Sequence, residues 1–315
     1  MSAATEPAPS GAATGPNHGL RIALIWAVLA LAADLLIWFV WGPHLPPGRM
    51  ASAAQTQQDA IKVLAVTAAP VMVLVLVYFS YAFIVWRQRA GDDTDGPPIH
   101  GNTRVQATWI TVTSILVLAV FVFGTVELAT AQGAGAGQGP TPLWKPGGTP
   151  LQVQVIGQQW KFTYRYPQYG GFETTALVLP VGQWVQFNVT SLDVIHSFWA
   201  YQLGVKADAN PNVNNVAYTD TKSQLGSFTV RCSELCGIWH GAMYNYGRIV
   251  TPTAFAAWAT ATESAQRRNG TLAALPPYSL TYDPTTIPQL GKVLVKLGIT
   301  GAQGFYYPPS DPVTP

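Results

Sequence analysis

The chain has 315 residues, 49% of them apolar and only 10% charged, with a net charge of +2. So few charges exclude a disordered polyelectrolyte, and a balance this close to zero gives no basis for binding nucleic acid. The apolar residues crowd the first 130 positions and a polar, turn-rich half follows, the pattern of a membrane protein carrying a water-facing domain.

Residues 1–19, small and polar, read as a disordered N-terminus. Three apolar runs follow, Leu20 to Trp41, Val63 to Trp86 and Val105 to Thr130. Each can cross the ~30 Å of a bilayer core at about 1.5 Å per helical residue. The first, residues 20–42, reads as a transmembrane helix or a signal sequence. It exceeds the typical signal-peptide core of about 7 to 15 residues, which favours a retained helix. Met50-Ala-Ser-Ala-Ala-Gln nevertheless offers a stretch that resembles a cleavage site. Asp34 lies inside this run, and a carboxylate at membrane depth points to a function or to a neighbouring subunit. The second and third runs, within residues 60–130, read as a transmembrane helical hairpin with a kink at Pro70. Arg87, Arg89 and Arg104 lie between them and Arg21 opens the first, so that loop and the N-terminus are expected on the cytoplasmic side. The third run then delivers the rest of the chain to the extracytoplasmic face.

Residues 131–148, rich in glycine and proline, read as a linker. From 149 to 266 short β-rich segments alternate with Gly, Pro and Asn: Gln152 to Ile156, Lys161 to Tyr166, Ala176 to Leu179, Val185 to Val189, Ser227 to Arg231 and Arg248 to Val250. That pattern argues for a small β-sandwich or barrel. Pro252 opens a helix that sets Phe255 and Trp258 on one face. Residues 267–315 form a proline-rich extension in which no chemistry is legible, and no Cys-x-x-Cys-His is present for a fused cytochrome.

The chemistry is concentrated in Cys232-Ser-Glu-Leu-Cys236-Gly-Ile-Trp-His240-Gly-Ala-Met243, which holds both cysteines of the chain. Thiolate, imidazole and thioether together suit copper rather than calcium or magnesium. A mononuclear blue-copper site uses one Cys, so the second thiolate is surplus and both sulfurs can bridge two metals. His240 and Met243 are candidates for the terminal ligands. Of the other histidines only His196 lies in the same domain, in Ser191-Leu-Asp-Val-Ile-His196-Ser-Phe-Trp, where a strand feeds a loop. A disulfide between the cysteines is the plainer alternative for an exported domain. His196 or Met243 taken alone would read as core packing, and Trp160 equally so.

These residues resemble the dinuclear copper (CuA) domain of cytochrome c oxidase subunit II. Asp193-Val-Ile-His196-Ser-Phe-Trp, Leu203-Gly-Val-Lys206-Ala-Asp208 and the Cys232 to Met243 stretch fall in the family's order and spacing, with Val155-Ile-Gly-Gln-Gln-Trp160 upstream. The resemblance implies a membrane-anchored α plus all-β fold: N-terminal transmembrane helices, a two-helix hairpin plus an extra N-terminal helix, followed by a cupredoxin-like β-sandwich. It implies two copper ions held by His196, Cys232, Cys236, His240, Met243 and the backbone carbonyl of Glu234. The Glu234 side chain would also reach a magnesium ion at the boundary with subunit I, and electrons would arrive at Trp160. It implies the subunit of a proton-translocating cytochrome c oxidase in which oxygen is reduced in subunit I. The partners are subunits I and III, membrane lipid, and cytochrome c or another extracytoplasmic donor. The location is the bacterial plasma membrane. Where the family often carries a proton-gathering glutamate, this chain holds Gln106.

The alternative is the CuA subunit of a nitric oxide reductase. A copper-free quinol oxidase subunit lacks these ligands, nitrous oxide reductase needs a propeller that this length cannot hold, and a copper chaperone would expose Met and His clusters. Asp193, three residues before His196, is expected to order that ligand by hydrogen bonding. From residue 131 onward eleven basic residues face eight acidic ones. Strong steering of a basic cytochrome is therefore not expected, and a tethered donor, a permanently held donor or a small acidic copper protein fits better.

Overall fold

The computed structural model describes residues 17–88, 91, 100–222 and 224–270. Of the stretch 1–19 expected to be disordered, residues 1–16 lie outside that set, whereas Asn17 caps the first helix and His18 and Gly19 open it; most of the C-terminal extension, 271–315, lies outside the set too. Contacts divide the chain into a helical unit, Met1–His44 with Lys62–Ser114, and a β-rich unit, Leu45–Ile61 with Ile115–Pro315.

Among the described residues, three helices are long and apolar enough to cross a membrane. The first, α1 (His18–Leu36), begins where Asn17 accepts a hydrogen bond from the Leu20 N–H, and a π-helical turn, Ile37–Trp41, extends it. The second, α2 (Ser52–Val85), starts well before the apolar run read from sequence. Helix α3 (Thr103–Ala131) is capped by the Asn102 side chain, which accepts from the N–H groups of Arg104 and Val105. Their apolar side chains, among them Leu31, Phe83, Ile84 and Phe121, are exposed. Helices apolar on all sides have lipid or partner helices as their natural surroundings. Within the helical unit the Trp26 indole donates to the Pro70 carbonyl, Lys62 sits over the Trp38 ring, and Asp34 keeps one oxygen sealed from solvent without a hydrogen bond.

Among the described residues, ten strands form the β unit: β1 (Leu151–Gln158), β2 (Lys161–Arg165), β3 (Glu173–Thr174), β4 (Leu177–Pro180), β5 (Trp184–Ser191), β6 (His196–Ala200), β7 (Val205–Ala209), β8 (Asn215–Asp220), β9 (Gly226–Cys232) and β10 (Tyr244–Val250). They make two five-stranded sheets, ordered β3-β2-β1-β5-β8 and β4-β10-β9-β6-β7. Val153, Val155, Phe162, Tyr164, Phe187, Phe198, Val230 and Ile249 fill the space between them. Helix α4 (Pro252–Arg268) closes one end, packing Phe255 and Trp258 against Tyr166. Anchoring helices followed by a cupredoxin-like sandwich is the architecture expected from the sequence.

Two features differ from the sequence reading. The start of α2 is part of the β unit: Met50, Ala51 and Ala54 enter its core, and the Asp220 carboxylate accepts from both the backbone and the hydroxyl of Ser52 at 2.6 Å. A carboxylate there stabilises the helix N-terminus. The segment read as a linker is also not a free tether in its first part. Gly135 donates to Tyr218 O, Gly137 to Lys206 O and Gln138 to Val216 O, while Lys206 and Val216 donate back to Gly135 and Gly139. Edge strands β7 and β8 have backbone groups to satisfy, and a glycine-rich chain can approach closely enough to do so.

Candidate metal centre

The cluster is built where strands from one sheet end and a short loop folds back. His196, expected in a loop, is the first residue of β6, and Cys232 is the last residue of β9, which pairs antiparallel with β6. The loop between β9 and β10 is closed at its base by the Cys232 N–H donating to Met243 O at 3.0 Å. The Ser233 N–H ties it to Ser197 O, also at 3.0 Å. Turns from Gly237 to His240 and from His240 to Met243 reverse the chain and turn Cys236, His240 and Met243 toward Cys232.

The result is a compact set of soft donors. Cys232 Sγ and Cys236 Sγ are 3.7 Å apart, and both cysteines are free. A disulfide would bring the sulfurs to about 2.05 Å; at 3.7 Å the two stand as separate thiols. His196 Nδ1 lies 3.8 Å from Cys232 Sγ at one end, and His240 Nδ1 lies 3.5 Å from Cys236 Sγ at the other. Met243 Sδ is 3.8 Å from Cys236 Sγ, and the Glu234 carbonyl oxygen is 3.2 Å from Cys232 Sγ. His196, Cys232 and Cys236 alone already place three ligand atoms within 4.8 Å of one another, and all three are buried. Sulfurs at this spacing can share metal ions at an ordinary thiolate distance of about 2.3 Å. Two thiolates, two imidazoles and a thioether fit copper by softness.

The surrounding hydrogen bonds fix the ligands. His196 Nε2 meets Asp193 Oδ1 at 2.9 Å, which turns Nδ1 toward the sulfurs. Asp193 is itself held by the N–H groups of Gln159 and Val194 at 2.7 Å. Burial disfavours the Asp193 carboxylate, but its bonds from His196, Gln159 and Val194 outweigh that and hold its pKa below the usual range. His196 is likewise disfavoured as a cation by burial, yet Asp193 and Cys232 raise its pKa overall. Burial pushes the Cys232 thiol up, but the His196 ring and the backbone of Ser197 and Glu234 bring it down to about 7. Cys236 is pushed up to about 12 by burial and by the neighbouring Cys232 sulfur. Metal binding deprotonates both.

Each residue singled out in the sequence therefore has a definite place. His196, Cys232, Cys236, His240 and Met243 converge, with the Glu234 carbonyl beside them and the Glu234 side chain at the surface. Trp160 is half-buried at the rim, its indole donating to the Cys236 carbonyl at 3.1 Å. Gln159, not singled out, donates to the same carbonyl at 2.8 Å. Gly157 was also passed over. A Cβ there would come to 3.0 Å from the His196 ring, and a glycine inside a strand is the signal of such a close approach.

Residues 172–246 match the family model described as cytochrome c oxidase subunit II, periplasmic domain. The chain is 28% identical over 298 residues to cytochrome c oxidase subunit 2 of Thermostichus vulcanus, covering 81% of this chain and 88% of that one. It is 33% identical over 177 residues to the same subunit of Alkalihalophilus pseudofirmus, covering 55% and 50%. Among solved structures, the periplasmic domain of subunit II of cytochrome oxidase from Bradyrhizobium japonicum is 31% identical, with 38% of this chain and 97% of that one covered and a TM-score of 0.36.

Proposed function

The chain belongs to the cytochrome c oxidase subunit II family, and from that premise we propose that it is the electron-accepting subunit of a respiratory terminal oxidase, holding two copper ions. The observation that carries this reading is the pair of buried sulfurs 3.7 Å apart with an imidazole Nδ1 at each end. When bound, the metal would supply a one-electron redox centre, and Cys232 and Cys236 would hold it with their thiolates. His196 and Met243 would hold it from the buried side, His240 from nearer the surface, and the Glu234 carbonyl would be a further donor. Asp193 keeps the His196 ring in one orientation. Strand ends and loop bonds hold all these groups in place, so a change of one charge demands little movement of the protein. Trp160, against the Cys236 carbonyl, is where the donor's electron would cross from the surface. No bond is made or broken in this chain; reduction of oxygen to water belongs to subunit I.

The rest of the assembly follows the same reading. The three apolar helices would lie in the plasma membrane of a bacterium against lipid, subunit I and subunit III, with the β unit on the extracytoplasmic side. The exposed Glu234 carboxylate would face a magnesium ion shared with subunit I. Apolar residues beside the ligands, Leu235, Ile238 and Trp239, are exposed and available to that contact. Because basic residues outnumber acidic ones from 131 onward, the donor is one that does not depend on a cationic docking face. Turnover on a basic cytochrome c is expected to be low and nearly flat with added salt; a steep fall would assign the donor to the basic class instead.

Metal analysis and electron paramagnetic resonance of the purified oxidase complex test the central claim. Two coppers in this subunit sharing one unpaired electron are expected. One copper with a blue-type spectrum, or no copper in it, would overturn the reading.

A further inference from the structure

In the sheet β4-β10-β9-β6-β7, the strands that lead into and out of the ligand loop are β9 and β10, which lie side by side away from both edges. Phe228 and Val230 on β9 and Ile249 on β10 belong to the core. By alternation Thr229 and Arg231, and Tyr244, Tyr246 and Arg248, point to the other face. An outer face left to water is normally polar. This one exposes two large rings, Tyr244 at 54% and Tyr246 at 52%, together with the arginines.

The register makes these side chains one patch. Tyr244 stands opposite Arg231, Tyr246 opposite Thr229 and Arg248 opposite Ser227, and the two tyrosine rings meet edge-on at 6.3 Å. Neither strand contains an acidic residue. Among the described residues neither guanidinium is ion-paired or hydrogen-bonded. Further across the sheet Lys206 and Asp208 share the outer face of β7 and offset each other, so the unbalanced positive charge lies on β9 and β10. Both strands end on the metal cluster, with Arg231 just before Cys232 and Tyr244 just after Met243. Tyr244 also lines a small cleft with Trp160 and Lys161, which makes the patch continuous with the rim where the electron is read to cross.

Exposed tyrosines beside arginines have the composition of an interface centre, and guanidinium groups without a partner are suited to bidentate pairing with carboxylates. We propose that this face docks the electron donor, and that the donor presents a carboxylate-rich surface to it. The assignment rests on the electron-accepting function proposed above and adds to it where the donor sits and which charge it carries. A donor seated on Tyr244, Tyr246, Arg231 and Arg248 has Trp160 at its border and the ligand loop beside it.

Stopped-flow reduction of the metal-loaded oxidase complex by a reduced, acidic blue-copper protein tests this. For the parent the second-order rate is expected to fall steeply with added salt. R231E/R248E should lower the low-salt rate by about ten-fold or more and flatten or reverse the salt dependence, with R231Q/R248Q between the two. R267E/R268E makes the same change of net charge in the last turn of α4, which lies against β3 of the other sheet, and should keep the parent's rate. Should R231E/R248E lose metal, R248E alone, which leaves the residue next to Cys232 in place, is read the same way. A parent that takes no electrons from the acidic protein would overturn the proposal. So would a metal-loaded R231E/R248E that is as fast as the parent, which would assign the face to a contact with another subunit, and so would an equal loss in R267E/R268E. A parent with no metal in this subunit would remove the electron-accepting reading itself, and this proposal with it.

Discussion

The two halves of the ligand cluster are held in different ways. One half is carried by strands: His196 opens β6, Cys232 ends β9, the β6 to β9 pairing fixes their separation, and Asp193 and Gln159 lock the imidazole from behind. The other half is carried by a loop: Cys236, His240 and Met243 depend on reverse turns and on the closing bond between Cys232 and Met243. His196 has no exposed surface, whereas the loop raises Leu235, Ile238 and Trp239 into solvent. The sulfurs differ in the same sense, with Cys232 brought down to about 7 and Cys236 pushed up to about 12. The strand sulfur is thus the more readily ionised of the two, while the loop half completes the cluster nearer the surface. Rigidity and access are divided between two parts of one site.

Removing the loop sulfur is the harshest test of that division. Cys236→Ser keeps the size of the side chain and the fold but takes away one bridge, so the shared-electron spectrum should vanish and turnover with the reduced donor should fall to background. A single copper retained on His196 and Cys232, seen by metal analysis, would show that the strand half binds on its own. Loss of all copper would show that the strand half needs the loop thiolate. A smaller effect is expected from Asp193→Asn, which keeps an acceptor for His196 but removes the charge behind it. Supporting groups of this kind are worth about 10- to 100-fold in metal affinity. The expected signature is weaker copper retention under a chelator and a shifted paramagnetic spectrum, which a purely structural role for Asp193 would leave untouched.

The same division explains what could be read from the sequence. The loop half was legible because its ligands sit within twelve residues, a spacing that survives without any knowledge of the fold. The helices were legible because length and apolarity suffice. The scaffold behind the strand half was not. β6, β7 and β8 were missed, since His196-Ser-Phe-Trp-Ala is a short mixed segment whose burial comes from the strands around it. Gln159 falls inside the Val155 to Trp160 motif, but its role there was not legible, because its backbone and side chain act on residues 34 and 77 positions away. The glycine-rich stretch after α3 looked like a tether because hydrogen bonding of its backbone to β7 and β8 leaves no mark on composition. Long-range pairing is what a single sequence hides most completely.

Packing behind the strand half gives a milder prediction. A methyl group at position 157 would stand 3.0 Å from His196 Cδ2 and 3.3 Å from its Cβ and Cγ, against a ring that Asp193 prevents from moving freely. Gly157→Ala should therefore destabilise the β unit by about 1–3 kcal/mol, read as a lower midpoint in denaturant, while the metal content stays that of the parent. An unchanged midpoint would mean the ring yields easily and the strand half is softer than described.

The seam between the halves is Trp160, which reaches from the end of the β1–β2 hairpin to the carbonyl of Cys236. Trp160→Phe removes the indole N–H and keeps an aromatic ring. Gln159 Nε2 already donates to the same carbonyl, so that oxygen stays satisfied and the loss of stability should be below about 1 kcal/mol. Copper content and spectrum should be unchanged. If electrons cross here, the rate of reduction by the bound donor, followed by stopped-flow absorbance, falls while turnover with a small diffusible reductant does not. Equal rates for variant and parent with both reductants would move the crossing point elsewhere on the rim, with the exposed Trp239 on the loop half the next aromatic to substitute.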